Sequence, residues 1–108
     1  MAKTFDKGVV LNFDALVDYS ADGVVSKQVL KNDAGNITLF SFDKEQGLTE
    51  HTSPYDALVS VIDGVAEIAI KDEKHLVKAG ESIILPANIP HALLAIEKFK
   101  MLLTMIKG

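Results

Sequence analysis

Histidines are the side chains of this chain most suited to chemistry near neutral pH, and there are three: His51, His75 and His91. An imidazole can move a proton in that range, or donate a ring nitrogen to a metal. No cysteine is present, which excludes disulfides, thiolate metal sites and cysteine nucleophiles together. All 11 cationic side chains are Lys, and the net charge is -4. Without Arg, the residue suited to bidentate contacts with phosphate and guanine, the chain is not expected to bind nucleic acid or phosphate-rich substrates. Two of the histidines lie in segments dense in turn and apolar residues, Glu50–Gly64 and Gly80–His91. If the first continues as a strand, His51, Ser53, Tyr55, Ala57, Val59 and Val61 share one face, unless a bend at Pro54 shifts the register. After Pro90, His91, Leu93 and Ala95 share a face by the same rule. His75, beside Lys74 in a hairpin arm, reads as a solvated or edge residue.

The elements that must carry these residues are strands. From Gly23 onward, short runs rich in Val, Ile, Leu and Phe alternate with turn residues. The runs are Val24–Leu30, Asn36–Phe42, Ala57–Ile62, Val65–Lys71, His75–Lys78, Ser82–Leu85, Ala92–Ile96 and Phe99–Ile106. Asp63-Gly64 between two of them has the composition of a two-residue hairpin turn. Eight strands at this spacing predict an all-β antiparallel sandwich or barrel. One helical turn is expected within Asn12–Tyr19, capped by Asn12 or Asp14. With 108 residues of mass 11.7 kDa, 48% hydrophobic and 24% charged, the chain has the length and composition of a single globular domain, residues 1–108. The charged start Met1–Lys7 carries no signal or transit pattern, and the apolar stretch Ser82–Ile106 is broken by Pro and charged residues, so a cytoplasmic protein without membrane spans is expected.

The spacing of the two segments resembles the two motifs of the cupin superfamily, small antiparallel jelly-roll β-barrels. In the first motif His51 takes the place of the first His, Ser53 of the second, Ala57 of the Glu and Gly64 of the closing Gly; Gly47 stands off the spacing of the opening Gly. In the second, Gly80, Pro86 and His91 match, Asn88 replaces the inner Gly and Ala95 the final Asn. Asn is at ease in left-handed turns, so that exchange is tolerable. The resemblance covers residues 36–106, leaving 1–35 as N-terminal strands that pack on the barrel or on a partner subunit. A jelly roll can turn both histidine-bearing faces into one mouth. The implied pocket has His51, Ser53 and His91 at its polar end, Tyr55 at its rim and apolar walls.

Metal-bound cupins hold Fe, Mn, Ni, Cu or Zn with three His and one Glu, and this chain retains two of those four positions, His51 and His91. Glu50 and Asp56 are the available substitutes, at the wrong parity unless the Pro54 bend turns the chain. A half-complete set marks a lost site more often than a new one. The resemblance therefore implies, first, a cupin of undefined activity that binds a small, mainly apolar organic ligand near His51 and His91. The alternative is a metal-dependent oxygenase or isomerase using a weakly held divalent ion at those histidines. A third reading is a structural or partner-binding dimeric protein without a ligand. Both parities of Ala92–Ile96 and Phe99–Ile106 are apolar, so a homodimer packing sheet on sheet is expected.

Overall fold

A computed structural model describes residues 4–107. After one helical turn, α1 (Phe13–Leu16), it contains the strands β1 (Val24–Asn32), β2 (Gly35–Phe42), β3 (Gly47–His51), β4 (Asp56–Asp63), β5 (Val65–Ile70), β6 (Glu73–Lys78), β7 (Ser82–Leu85), β8 (His91–Ala95) and β9 (Phe99–Ile106). They form two sheets, one in the order β1-β2-β9-β4-β7 and one in the order β3-β8-β5-β6. Every pairing is antiparallel, giving the jelly-roll barrel expected. All eight sequence runs are strands. The ninth, β3, lay unread between two of them: a polar segment whose single large apolar residue is Leu48, at the edge of the smaller sheet.

The two sheets close on a core of Phe42, Val59, Ile68, Leu85, Phe99 and Met101, all nearly inaccessible to water. Phe42 and Phe99 stack with centroids 4.6 Å apart. Inward residues alternate along each strand, Ala57, Val59 and Val61 on β4 and His91, Leu93 and Ala95 on β8, as the period of two requires. The Asp63-Gly64 hairpin does not form. β4 and β5 belong to different sheets, and the dipeptide is a corner at which the chain changes sheet. Gly64 has φ 79° there, and a Cβ would overlap the Lys98 carbonyl oxygen. The tight hairpin of this region is instead Lys71-Asp72, closing Ile70 on Glu73 with Lys71 at φ 55°.

The helix expected over Asn12–Tyr19 is one turn. Asn12 is at its N-cap without a side-chain capping bond, and too few residues follow for such a turn to persist unless packed. Packing supplies the order: Phe5, Phe13, Leu16 and Val17 cover Val29, Leu39 and Leu102 on the outer face of the larger sheet. Polar contacts fasten the same segment. Ser41 Oγ donates to the Asp18 carbonyl at 2.8 Å, Tyr19 Oη to Asp63 at 2.5 Å, and Lys100 Nζ to the Asp14 carbonyl and carboxylate at 2.6 and 3.1 Å. Lys100 also lies 5.0 Å from the centre of the Tyr19 ring. Burial, with the Asp63 bond second, pushes the Tyr19 phenol far above its ordinary value, so it donates at every working pH.

Candidate functional site

His51 ends β3, His91 begins β8, and the two are cross-strand partners. Their rings meet edge to face with centroids 4.4 Å apart. The approach to His91 is fixed by a loop stapled to its neighbours: Asn88 N donates to the Ser53 carbonyl at 2.7 Å and Lys71 N to the Pro90 carbonyl at 2.8 Å, while Ala87 N donates to the Asp56 carboxylate at 2.8 Å. Asn88 adopts φ 64°, the left-handed turn for which Asn substitutes for Gly. His51 is exposed at the barrel mouth and His91 is buried.

Each imidazole bonds the carbonyl two residues before it. His51 Nδ1 is 2.7 Å from the Thr49 oxygen, and His91 Nδ1 is 3.2 Å from the Ile89 oxygen. A carbonyl can only accept, so each Nδ1 carries the hydrogen, and in the neutral form of either ring Nε2 is the nitrogen that holds the lone pair. Among the described residues neither Nε2 has a hydrogen-bond partner. Burial lowers the His91 pKa below its ordinary 6.5; the Ile89 carbonyl opposes this and His51 adds slightly to it. His91 is therefore neutral at pH 7, and its Nε2 is free to accept a proton donor or bind a Lewis acid.

Both rings line a cavity of about 40 Å³ inside the barrel, with Ser53 beside them and walls of Leu48, Ala57, Leu85, Leu93, Met101, Leu103 and Met105. Every wall residue is uncharged. That volume admits about two or three water-sized groups, well below the few hundred Å³ of a typical metabolite pocket. A larger open groove of about 560 Å³ lies between the N-terminal segment and β1, lined by Phe5, Leu16 and Gln28 among others. No histidine borders it, so the smaller cavity is the better chemical candidate.

Of the sequence candidates, His51, Ser53 and His91 meet at this cavity. Tyr55 does not line it. The chain leaves strand geometry between β3 and β4, so the alternation counted from His51 lapses at Pro54; Tyr55 N bonds Ser53 Oγ and its ring lies 5.8 Å from Lys107 Nζ. Glu50 is exposed, and Asp56 spends its carboxylate on the Ala87 amide. Among the described residues no three His, Cys, Asp or Glu side chains gather as a metal site, and Ala57 faces the cavity where a carboxylate ligand would be needed. The donors present do not fit a hard divalent ion of the three-His, one-Glu type. Sequence reasoning overlooked Met101 and Met105, although the alternation Phe99, Met101, Leu103, Met105 along β9 places them inward.

A family model described as a cupin domain matches residues 38–107. The chain is a cupin. The cupin fold aligns with a conserved protein of unknown function from Streptococcus pyogenes at 38% identity and a TM-score of 0.92, covering 99% of this chain and 94% of that one. A cupin superfamily protein from Desulfitobacterium hafniense is 25% identical with a TM-score of 0.90, covering 100% and 99%. A cupin 2 conserved barrel domain protein from Leptotrichia buccalis is 41% identical with a TM-score of 0.87, covering 90% of this cupin but 47% of its own length. No functionally curated protein matches the chain. Among the described residues no helix is long and apolar enough to cross a membrane.

Proposed function

We propose that this cupin is a binding protein for a small organic ligand, held at the barrel mouth by the paired Nε2 atoms of His51 and His91. The observation that carries the reading is the tie of both Nδ1–H groups to strand carbonyls, which leaves two imidazole acceptors at one cavity. The ligand's handle is accordingly a donor, a hydroxyl or an amine, and its apolar tip is no larger than the cavity holds. A divalent-metal oxygenase or isomerase has less support, because two imidazoles without a carboxylate leave most of the coordination shell to water. The test is a fragment screen read by protein NMR and by thermal shift at pH 7.5. Hydroxyl- or amine-bearing fragments are expected to move the His51 and His91 ring signals, and a fragment at a hundred times its Kd stabilises by about 2.7 kcal/mol. Failure of every such fragment to shift either ring overturns the reading.

A second reading concerns association. Leu30, Ile37, Thr104, Leu58 and Ile84 form one continuous cross-strand row over all five strands of the larger sheet. It lies beside the area covered by the N-terminal segment, contains no charge, and leaves Leu30, Leu58 and Ile84 exposed. We propose that a second copy of this chain packs on the row about a two-fold axis, row against row. Light scattering is expected to give twice 11.7 kDa, falling to the single-chain mass in Leu58→Lys/Ile84→Lys; a single-chain mass for the unaltered protein at micromolar concentration would contradict it.

A further inference from the structure

We infer that the second copy meets this one about a two-fold axis lying along the Leu30-to-Ile84 row, and that the Val9-Val10 bow of each chain seats in a groove on the other. This rests on the reading of the row as a contact between copies, and adds the direction of the axis and a second pair of contact surfaces. Three observations converge. The N-terminal segment raises one half of the outer face of the larger sheet by a full layer. Phe5, Phe13 and Leu16 lie over Val29, Leu39 and Leu102, and Tyr19 and Asp14 fasten the layer as far across as Asp63 and Lys100. The cross-strand rows through Thr104 and Ile106, nearer the end of β9, lie outside it. An axis along the strands would stack layer on layer and hold the two rows farther apart than the ~10 Å at which sheets pack. An axis along the row sets each layer past the other copy's strand ends and lets the open halves meet. The open half also contains a groove: Leu30, Ile37, Thr104 and Ile106 border about 240 Å³ of space, none of the described residues around it is charged, and Ile106 is 64% exposed. Finally, the bow supplies a filling of matching chemistry. Gly8–Leu11 passes the β1 end of the same row on the other side, beside Ser26–Leu30, and Val9 and Val10 are 58% and 98% exposed. Bow and groove thus lie at one end of the row and on opposite sides of it. A two-fold axis along the row interchanges those sides, so each bow reaches the other copy's groove, the reciprocal pairing of an isologous interface. Apolar valines then bury against Leu30, Ile37 and Ile106 with no charge to desolvate.

The test mixes two preparations of the unaltered protein, one isotope-labelled only in its isoleucine methyls and the other only in its valine methyls. Any through-space NMR contact between the two labels then runs from one copy to the other. A contact from Ile106 to Val10 is expected. In analytical ultracentrifugation, Val10→Asp should weaken association by at least about tenfold, whereas Leu76→Asp should change it by less than about twofold. Leu76 is equally exposed, but stands on β6 of the smaller sheet. A contact from Ile84 to Val10 instead puts the axis along the strands, so that the proposal falls and the row stands. The same follows if Val10→Asp leaves association unchanged while Leu58→Lys/Ile84→Lys abolishes it. If neither variant alters association, if only Leu76→Asp weakens it, or if the unaltered protein has a single-chain mass, both readings fall. Near-ultraviolet circular dichroism confirms that each variant is folded.

Discussion

His91 combines burial with a neutral ring, and this gives stability a pH dependence of definite sign. Its folded pKa lies below the ordinary 6.5, so below that pH the unfolded chain takes up more protons than the native one and stability falls as acid is added. The contribution is complete above the unfolded value and is lost as pH drops through the folded one. Asp43 is held below its ordinary value of 3.8 by bonds from the Asp22 and Lys44 amides, so its loss comes at lower pH. The melting temperature is therefore expected to fall between pH 7.5 and 5.0, and His91→Gln to flatten that slope. An equal slope in the variant would show that other groups set it. The position of His91 was legible from Pro86, Pro90 and the spacing around them. The size of its cavity was not: that depends on how far Met101, Leu103 and Met105, from a strand distant in sequence, fill the barrel.

At the scale of elements, glycines with similar backbone angles serve different ends. Gly64 and Gly80 have φ of 79° and 88°, but a Cβ meets the Lys98 carbonyl at the first and open space at the second. Gly80→Ala carries only the left-handed penalty, about 1 kcal/mol, whereas Gly64→Ala must also displace a neighbouring strand and is expected to lose about 3 kcal/mol or more. Urea denaturation of the two variants checks the contrast, and equal losses would remove the steric account. The same dipeptide shows the limit of reading strands from composition. Asp63-Gly64 supplies a positive φ to a hairpin and to a sheet-changing corner alike, and the choice is made by Lys98 and Phe99, more than thirty residues onward. β3 escaped notice for a related reason: an edge strand with little to bury has little reason to be apolar.

For the molecule as a whole, the contacts that join the N-terminal segment to the barrel include one buried ammonium, beside the bonds of Ser41 and Tyr19. Lys100 has a side chain only 10% exposed, against 59% for its partner Asp14. Lys100→Ala leaves the Tyr19 and Asp14 contacts without their shared donor and is expected to cost about 2–3 kcal/mol. Asp14→Ala keeps the backbone carbonyl that Lys100 also uses, and should cost less than about 1 kcal/mol. Chemical denaturation that reversed this order would place the weight of the contact on the carboxylate. The barrel's own closure depends on a different element. β9 is the ninth strand in sequence but the central one of its sheet, hydrogen-bonded to β2 on one side and β4 on the other. Until it is in place, the β1–β2 ribbon and the β4–β7 ribbon share no ladder. During synthesis, then, most of the chain leaves the ribosome before the strand that can unite it, and for that interval Leu39, Phe42 and Val59 are apolar surface awaiting cover. A nascent chain of this design must stay soluble by its charge, or under a chaperone's protection, until Phe99–Ile106 emerges.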